Sequence, residues 1–257
     1  MLVVISILGI LAALTVPALK NLGKSNVQVS ASRQILDDVA RARQLAISQR
    51  TTVYMMFVPA AFWLPPLTAS SAWTNSLSPA EYTNVINLLD KQLTGYAFVS
   101  LRSVGDQPGQ GVPQYLSEWK LLPDGSFIAT NKFYNNTFIY DYSFSPAVAY
   151  PVSQFNYTAS LPFPTEANVP AGILLPYIAF NYMGQLTVDG VNLAPRDEYI
   201  PLAQGSPLYA MNSSKALQFL PATFDESPPG NSTNSMFNVI HIDRLTGRAG
   251  LLKQKVQ

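Results

Sequence analysis

The hydrophobic pattern of the chain changes character twice. Met1–Leu19 reads MLVVISILGILAALTVPAL, apolar throughout except for Ser6 and Thr15. Nineteen helical residues at about 1.5 Å each span the hydrocarbon thickness of a bilayer. From Lys20 to Arg50 apolar positions recur every three or four residues. Val29, Ser32, Leu36, Val39, Arg43 and Ala46 mark one face, with Ile35, Ala42 and Leu45 beside it, while Arg33, Asp37, Arg41 and Gln44 fall mostly opposite. The two patterns join without a turn signal. The spacing therefore predicts one helix over Met1–Arg50, disturbed only near Pro17 or Gly23, that begins apolar all round and becomes amphipathic. Pro17 removes one helical hydrogen bond, a loss that lipid-embedded or bundled helices can absorb.

Beyond Arg50 the runs are short and alternating, as strands require. Thr51–Val58 is β-branched and aromatic, and Pro59–Pro66 ends it with a proline-bounded excursion. Ser78-Pro79-Ala80-Glu81 has the form of a capping box, opening a helix through about Leu93 that Gly95 stops. Tyr96–Leu101 reads as a strand, and Trp119–Leu122 with Ser126–Ala129 as a hairpin around Pro123-Asp124-Gly125. Thr137–Tyr142, Ile173–Phe180 and Ala216–Leu220 are further strand candidates. Tyr177–Asp189 reads as two short strands around Gly184, and Phe237–Leu252 as a terminal hairpin turning at Thr246–Gly247. Ser143–Ala171, rich in proline, is expected to be a surface excursion, and Ser227–Ser235 an exposed loop. The expected architecture is α+β, a helix packed on an antiparallel sheet with long loop excursions, divided into residues 1–50 and a β-rich head over 51–257.

Composition narrows the chemistry. Hydrophobic residues make up 48% and charged residues 12% of the 257, enough to bury a sizeable core and too little charge for disorder. Net charge is +1, so no electrostatic footprint for nucleic acid is present. With no cysteine there is no disulfide, thiolate metal site, iron–sulfur cluster or haem attachment motif, and His241 is the single histidine. No nucleophile-elbow, zinc-protease or phosphate-loop motif occurs. The expectation is a protein with no catalytic site, cofactor or metal.

The residues VVISILGILAALTVPALKNL resemble the N-terminal helix of bacterial type IV pilins and type II secretion pseudopilins, with Gly9 and the helix-interior Pro17 in register. Ser30–Val58, an Ala/Arg-rich helix feeding straight into a strand, resembles the same junction in H-type pseudopilins and FimT-like proteins; Tyr177–Asp189 and Phe237–Leu252 resemble them more weakly. In that family the precursor is cut before an aromatic residue, and a glutamate follows inside the apolar run. Alignment on Gly9 and Pro17 places Met1 directly after that glutamate. The expectation is a start at an internal methionine, with leader, cleavage site and glutamate upstream; a natural variant without the glutamate is the alternative.

The resemblance implies a pilin-like fold whose apolar half-helix protrudes, and a polymer of identical subunits. Its core would be packed by Val4, Ile7, Leu8, Gly9, Leu11, Ala12, Ala13, Val16 and Pro17. It also implies an inner-membrane precursor, an assembly machinery as partner, and a final place in an extracellular or periplasm-spanning filament. The other functional class is a minor tip pilin or membrane-anchored extracellular module that binds a ligand without polymerising.

Three further features carry possible chemistry. Asn135, Asn156, Asn212 and Asn231 each begin an N-x-S/T sequon, a possible glycan site on an extracellular protein. Asp189, Asp197 and Glu198 surround a turn at Gly190, but their spacing matches no compact oxygen cage, and a solvated acidic turn is expected. His241 alternates with Ile240 and Ile242 and is expected to face water or a hydrogen-bond partner rather than a metal.

Overall fold

The computed structural model describes residues 27–64, 73–103, 105–106, 111–134, 137–141, 148–165, 174–232 and 238–253. The apolar segment Met1–Leu19, Pro17 and Gly23 lie outside them.

Helix α1 occupies residues 27–49, roughly 35 Å at about 1.5 Å per residue. Arg50, with φ 52°, ends it in the left-handed region, and Thr51 N–H reaches back 3.2 Å to the Ala46 carbonyl. That is the six-to-one bond of a Schellman cap, made here with arginine where glycine is usual. The buried stripe is Ala31, Ile35, Val39, Ala42 and Ala46, with Gln28, Ser32 and Asp38 beside it. This corrects the expected face: Val29 is 44% exposed, and Leu36 and Leu45 are only partly covered. The stripe is rotated because small residues let the helix backbone lie close to the sheets, whereas Val29 and Leu36 sit at its rim.

The first sheet is built on β1 (Val53–Phe57), flanked antiparallel by β2 (Gly95–Ser100) and β8 (Tyr177–Phe180). The outer edge of β2 is paired in two short pieces, β3 (Gln114–Tyr115) and β4 (Lys120–Leu121); β9 (Leu186–Thr187) closes the other edge. Because successive strand residues face opposite sides, this sheet carries two cores. Val53, Met55, Phe57, Tyr96, Phe98, Ile178 and Phe180 join the α1 stripe. Tyr54, Met56, Ala97, Val99, Tyr177 and Ala179 pack instead on Phe62, Trp63, Val85, Leu161 and Phe163. Both faces are covered, so β1 is buried along its whole length.

The second sheet centres on the long strand β10 (Glu198–Leu208), paired with β5 (Ser126–Ile128), β11 (Thr223–Glu226) and β12 (Asn238–Ile242). The terminal strand β13 (Ala249–Lys253) pairs with β12 as the hairpin pattern predicts. Phe127, Ile200, Leu202, Val239, Ile240 and Ile242 bring this sheet into the same core as α1. A separate ribbon joins β6 (Thr137–Asp141) to β7 (Val148–Val152).

Several local expectations need correction. The hairpin around Pro123-Asp124-Gly125 is not one: the turn forms, with Ser126 N–H on the Pro123 carbonyl at 3.1 Å, but β4 pairs with β2 and β5 with β10. The turn carries the chain from one sheet to the other. Helix α2 (Pro79–Ile86) has the expected capping box, Ser78 and Glu81 bonding each other's backbone, yet it stops well before Leu93. A 3₁₀ turn over Leu89–Lys91 follows, and Leu93 N–H goes to the Val58 carbonyl at 2.8 Å, so sheet pairing has taken over.

Residues 148–165 are more than a surface excursion, since they supply β7 and the buried Phe155, Leu161 and Phe163. Ala216–Leu220 forms no strand, only a Met211–Leu217 bridge. The Asn212 side-chain oxygen accepts from the Ser214 and Ala216 amides at 2.9 Å and curls the backbone there. In Ser227–Ser235, Asn231 and Ser232 are buried rather than exposed.

Candidate assembly and binding surfaces

Helix α1 is fastened to the head at three heights by polar groups. At its start, Gln28 Nε2 donates to the Leu202 carbonyl of β10 at 2.9 Å. Midway, the buried Asp38 carboxylate accepts from the Tyr96 hydroxyl at 2.5 Å and pairs with the Lys120 ammonium. Gln34 Nε2 extends this network by donating to the Tyr96 hydroxyl at 2.8 Å and the Leu121 carbonyl at 2.7 Å. Burial, with the adjacent carboxylate, pushes the Tyr96 phenol well above its ordinary range.

Near its end, Arg43 Nε donates to the Thr246 carbonyl at 2.6 Å. There the turns at Gly184 and Gly247 meet: both have positive φ, and a Cβ on Gly247 would overlap the Gly184 carbonyl oxygen. These contacts tie one helix to both sheets. The periodicity places Arg43 on the packing face and assigns Gln28, Gln34 and Asp38 to neither face.

A second polar group sits in the interior. Lys132, in the short helix α3 (Asn131–Tyr134), is fully buried, donates to the Ser153 carbonyl at 2.6 Å and pairs with Glu198 at the start of β10. Its ammonium lies 4.6 Å from the centre of the Phe155 ring. Burial pulls the Lys132 amine below its ordinary range, and Glu198 opposes that shift. No sequence signal distinguishes this lysine from a surface one.

The acidic turn separates into three roles. Asp189 closes an Asx turn, accepting from the Val191 and Asn192 amides at 2.9 and 2.7 Å, and these bonds hold its carboxyl below the usual range. Asp197 faces His241 Nε2 at 2.9 Å and accepts from the Arg244 amide at 3.0 Å. Glu198 turns inward to Lys132. Among the described residues no group of three or more acidic or histidine side chains is placed to hold a metal ion.

The sequon asparagines differ in setting. Asn212 is exposed and Asn156 partly buried. Asn231 is fully buried, its amide donating to the Gln204 carbonyl at 2.6 Å and the Pro228 carbonyl at 2.8 Å, so the folded head leaves no room for a glycan there. Asn135 lies outside the described residues, as do the proposed filament-core residues Val4, Ile7, Leu8, Gly9, Leu11, Ala12, Ala13, Val16 and Pro17. Among the described residues no helix is long and apolar enough to cross a membrane.

A cleft of about 500 Å³, which no sequence pattern announces, opens on the side of the first sheet away from α1, between α2 and the β3–β4 segment. Asn84 and Asn87 reach it from α2 and its C-cap, and Ser117, Glu118 and Trp119 from the opposite wall. No family model, no curated protein and no solved structure matches this chain.

Proposed function

We propose that this chain is a structural subunit of a type IV pilus-like or pseudopilus filament, polymerising through its apolar N-terminal segment. The observation that carries the reading is the way α1 is used. Its buried stripe packs against two antiparallel sheets, and the sequence ahead of it carries an uncharged apolar run, Met1–Leu19, followed by the polar stretch Lys20–Asn26. A chain segment that docks along a head in its second part and is an uncharged apolar run in its first needs two environments, the head for one and lipid or other apolar segments for the other. An exposed run of that size is driven from water by about 25 cal/mol per Å² of apolar surface.

In this reading the subunit waits in the inner membrane as a precursor and is extracted by an assembly machinery. It then packs against identical subunits in an extracellular or periplasm-spanning filament. Gly9, Ala12 and Ala13 give the close helix approach that packing in a dry bundle needs. The protein carries out no catalytic turnover. The cleft beside Trp119 favours the second reading, a tip pilin or anchored module that binds a ligand.

The test is Ala12→Asp in the cellular assembly system, with filaments counted by electron microscopy. The expected outcome is a folded head and no filaments. Filaments of normal length from this variant would overturn the packing argument in favour of the anchored module.

A further inference from the structure

We propose that the cleft between α2 and the β3–β4 segment is a binding site for a neutral saccharide. Its volume, about 500 Å³, falls in the range of small-molecule sites, and its lining combines two aromatics, Trp119 and Tyr115, with the polar side chains of Asn84, Asn87 and Glu118. The Trp119 indole meets Phe163 edge-on at 6.1 Å and Tyr115 at 6.1 Å. Tyr115 is itself fixed by a 2.8 Å hydrogen bond to the Pro162 carbonyl. The indole is therefore held in place before any ligand arrives, which removes an ordering cost of binding. A pyranose presents a face of C–H groups, weakly positive, to which the negative face of an aromatic ring is complementary.

The polar groups around the indole match hydroxyls. The side chains of Asn84, Asn87 and Glu118 make no hydrogen bond within the described head, yet all three border the same cleft. Two carboxamides offer donors and acceptors, and a carboxylate accepts from two neighbouring hydroxyls. The charges disfavour an anionic ligand. The Lys91 ammonium is already committed to the Asn87 carbonyl at 2.6 Å and Asp90 at 2.8 Å, while Glu118 repels an anion. A neutral polyhydroxylated ligand with an apolar face is the class that uses the indole together with Asn84, Asn87 and Glu118. The inference does not depend on polymerisation, because the cleft belongs to the head alone.

The experiment uses the full chain in a zwitterionic detergent without a sugar headgroup. It is screened on an array of neutral mono- to tetrasaccharides, and the strongest probe is then titrated calorimetrically beside adenosine and trialanine. Saccharide binding is expected, weakened about tenfold or more by Trp119→Ala. Asn87→Ala and Glu118→Gln should each weaken it about three- to tenfold, the effect of one hydrogen bond. The last two positions are exposed, so these variants test the site even where Trp119→Ala fails to fold. The proposal is overturned by an array on which nothing binds, by binding that survives Asn87→Ala and Glu118→Gln unchanged, or by adenosine or trialanine binding in place of every saccharide. Loss of filaments on Ala12→Asp with saccharide binding retained separates this site from the assembly reading.

Discussion

Asp38 on α1 accepts a 2.5 Å hydrogen bond from the Tyr96 hydroxyl on β2, with Lys120 of β4 on its other oxygen. A carboxylate 6% exposed is tolerable only because both partners are present. Tyr96→Phe is expected to cost about 1–3 kcal/mol, the range for leaving a buried acceptor short of a donor. Asp38→Ala should cost at least as much, since it leaves the buried Tyr96 hydroxyl without its acceptor and Lys120, 30% exposed, without its counter-charge. Urea unfolding followed by circular dichroism measures both. A change below about 0.5 kcal/mol in both variants, within the range of ordinary surface substitutions, would show that the network does not fasten the helix.

The Lys132–Glu198 pair predicts a larger asymmetry. Glu198→Gln leaves a fully buried ammonium without its counter-charge and is expected to destabilise by about 3–5 kcal/mol. Replacing both partners, as Lys132→Met with Glu198→Leu, should cost much less, because no charge then remains to be desolvated. The pH dependence has a definite sign. Lys132 binds its proton less readily folded than unfolded, so its contribution to stability rises with pH until the ordinary lysine value is passed. The double variant should lose that rise.

Tyr54 works in the opposite direction. Burial, with Tyr177 and Asp189 nearby, pushes its phenol up to about 12. The folded state therefore keeps a proton that the unfolded chain releases near pH 10. Its stabilisation is complete below pH 10 and is lost as pH rises toward about 12. Melting temperatures recorded at steps from pH 8 to 11.5 should fall more steeply in the wild type than in Tyr54→Phe.

Arg50 offers a stabilising change. Its φ of 52° places it in the region that costs a residue with a side chain about 1–2 kcal/mol, and it is exposed. Arg50→Gly is expected to raise stability by about 0.5–1 kcal/mol, net of the entropy glycine adds to the unfolded chain. A destabilised Arg50→Gly protein would show that the arginine side chain contributes more than its backbone costs.

Gly247 is the reverse case. With φ 62° and the Gly184 backbone against it, Gly247→Ala must shift one of the two turns. The expected loss is about 1–3 kcal/mol, with faster amide exchange at Gly184 and Leu186, the residues packed across the contact. Unchanged exchange at both would place the strain elsewhere.

What the sequence determined by itself was local. The capping box at Ser78 and Glu81, the strand over Val53–Phe57 and the turns at Gly184 and Gly247 all depend on neighbours within a few positions, so residue type and spacing suffice to write them. The helix over 27–49 was equally legible, since 3.6-residue periodicity is a property of the segment alone.

Tertiary structure decided which side of that helix is buried. The pattern places Ala46 on the packing face and Ala42 beside it but passes over Ala31 and includes Val29 and Leu36, and the face is turned toward the alanines because two sheets converge on them. It also decided that β4 and β5, joined by a tight turn, belong to different sheets, because each finds a longer partner strand elsewhere. The same holds for the polar groups. Asn231 lies in a segment expected to be an exposed loop and no local pattern marks Asp38 or Lys132 as buried, yet burying Asp38, Lys132 and Asn231 is offset by partners 58, 66 and 27 positions away. The cleft around Trp119 has the same origin, for its walls come from chain segments that no local pattern relates.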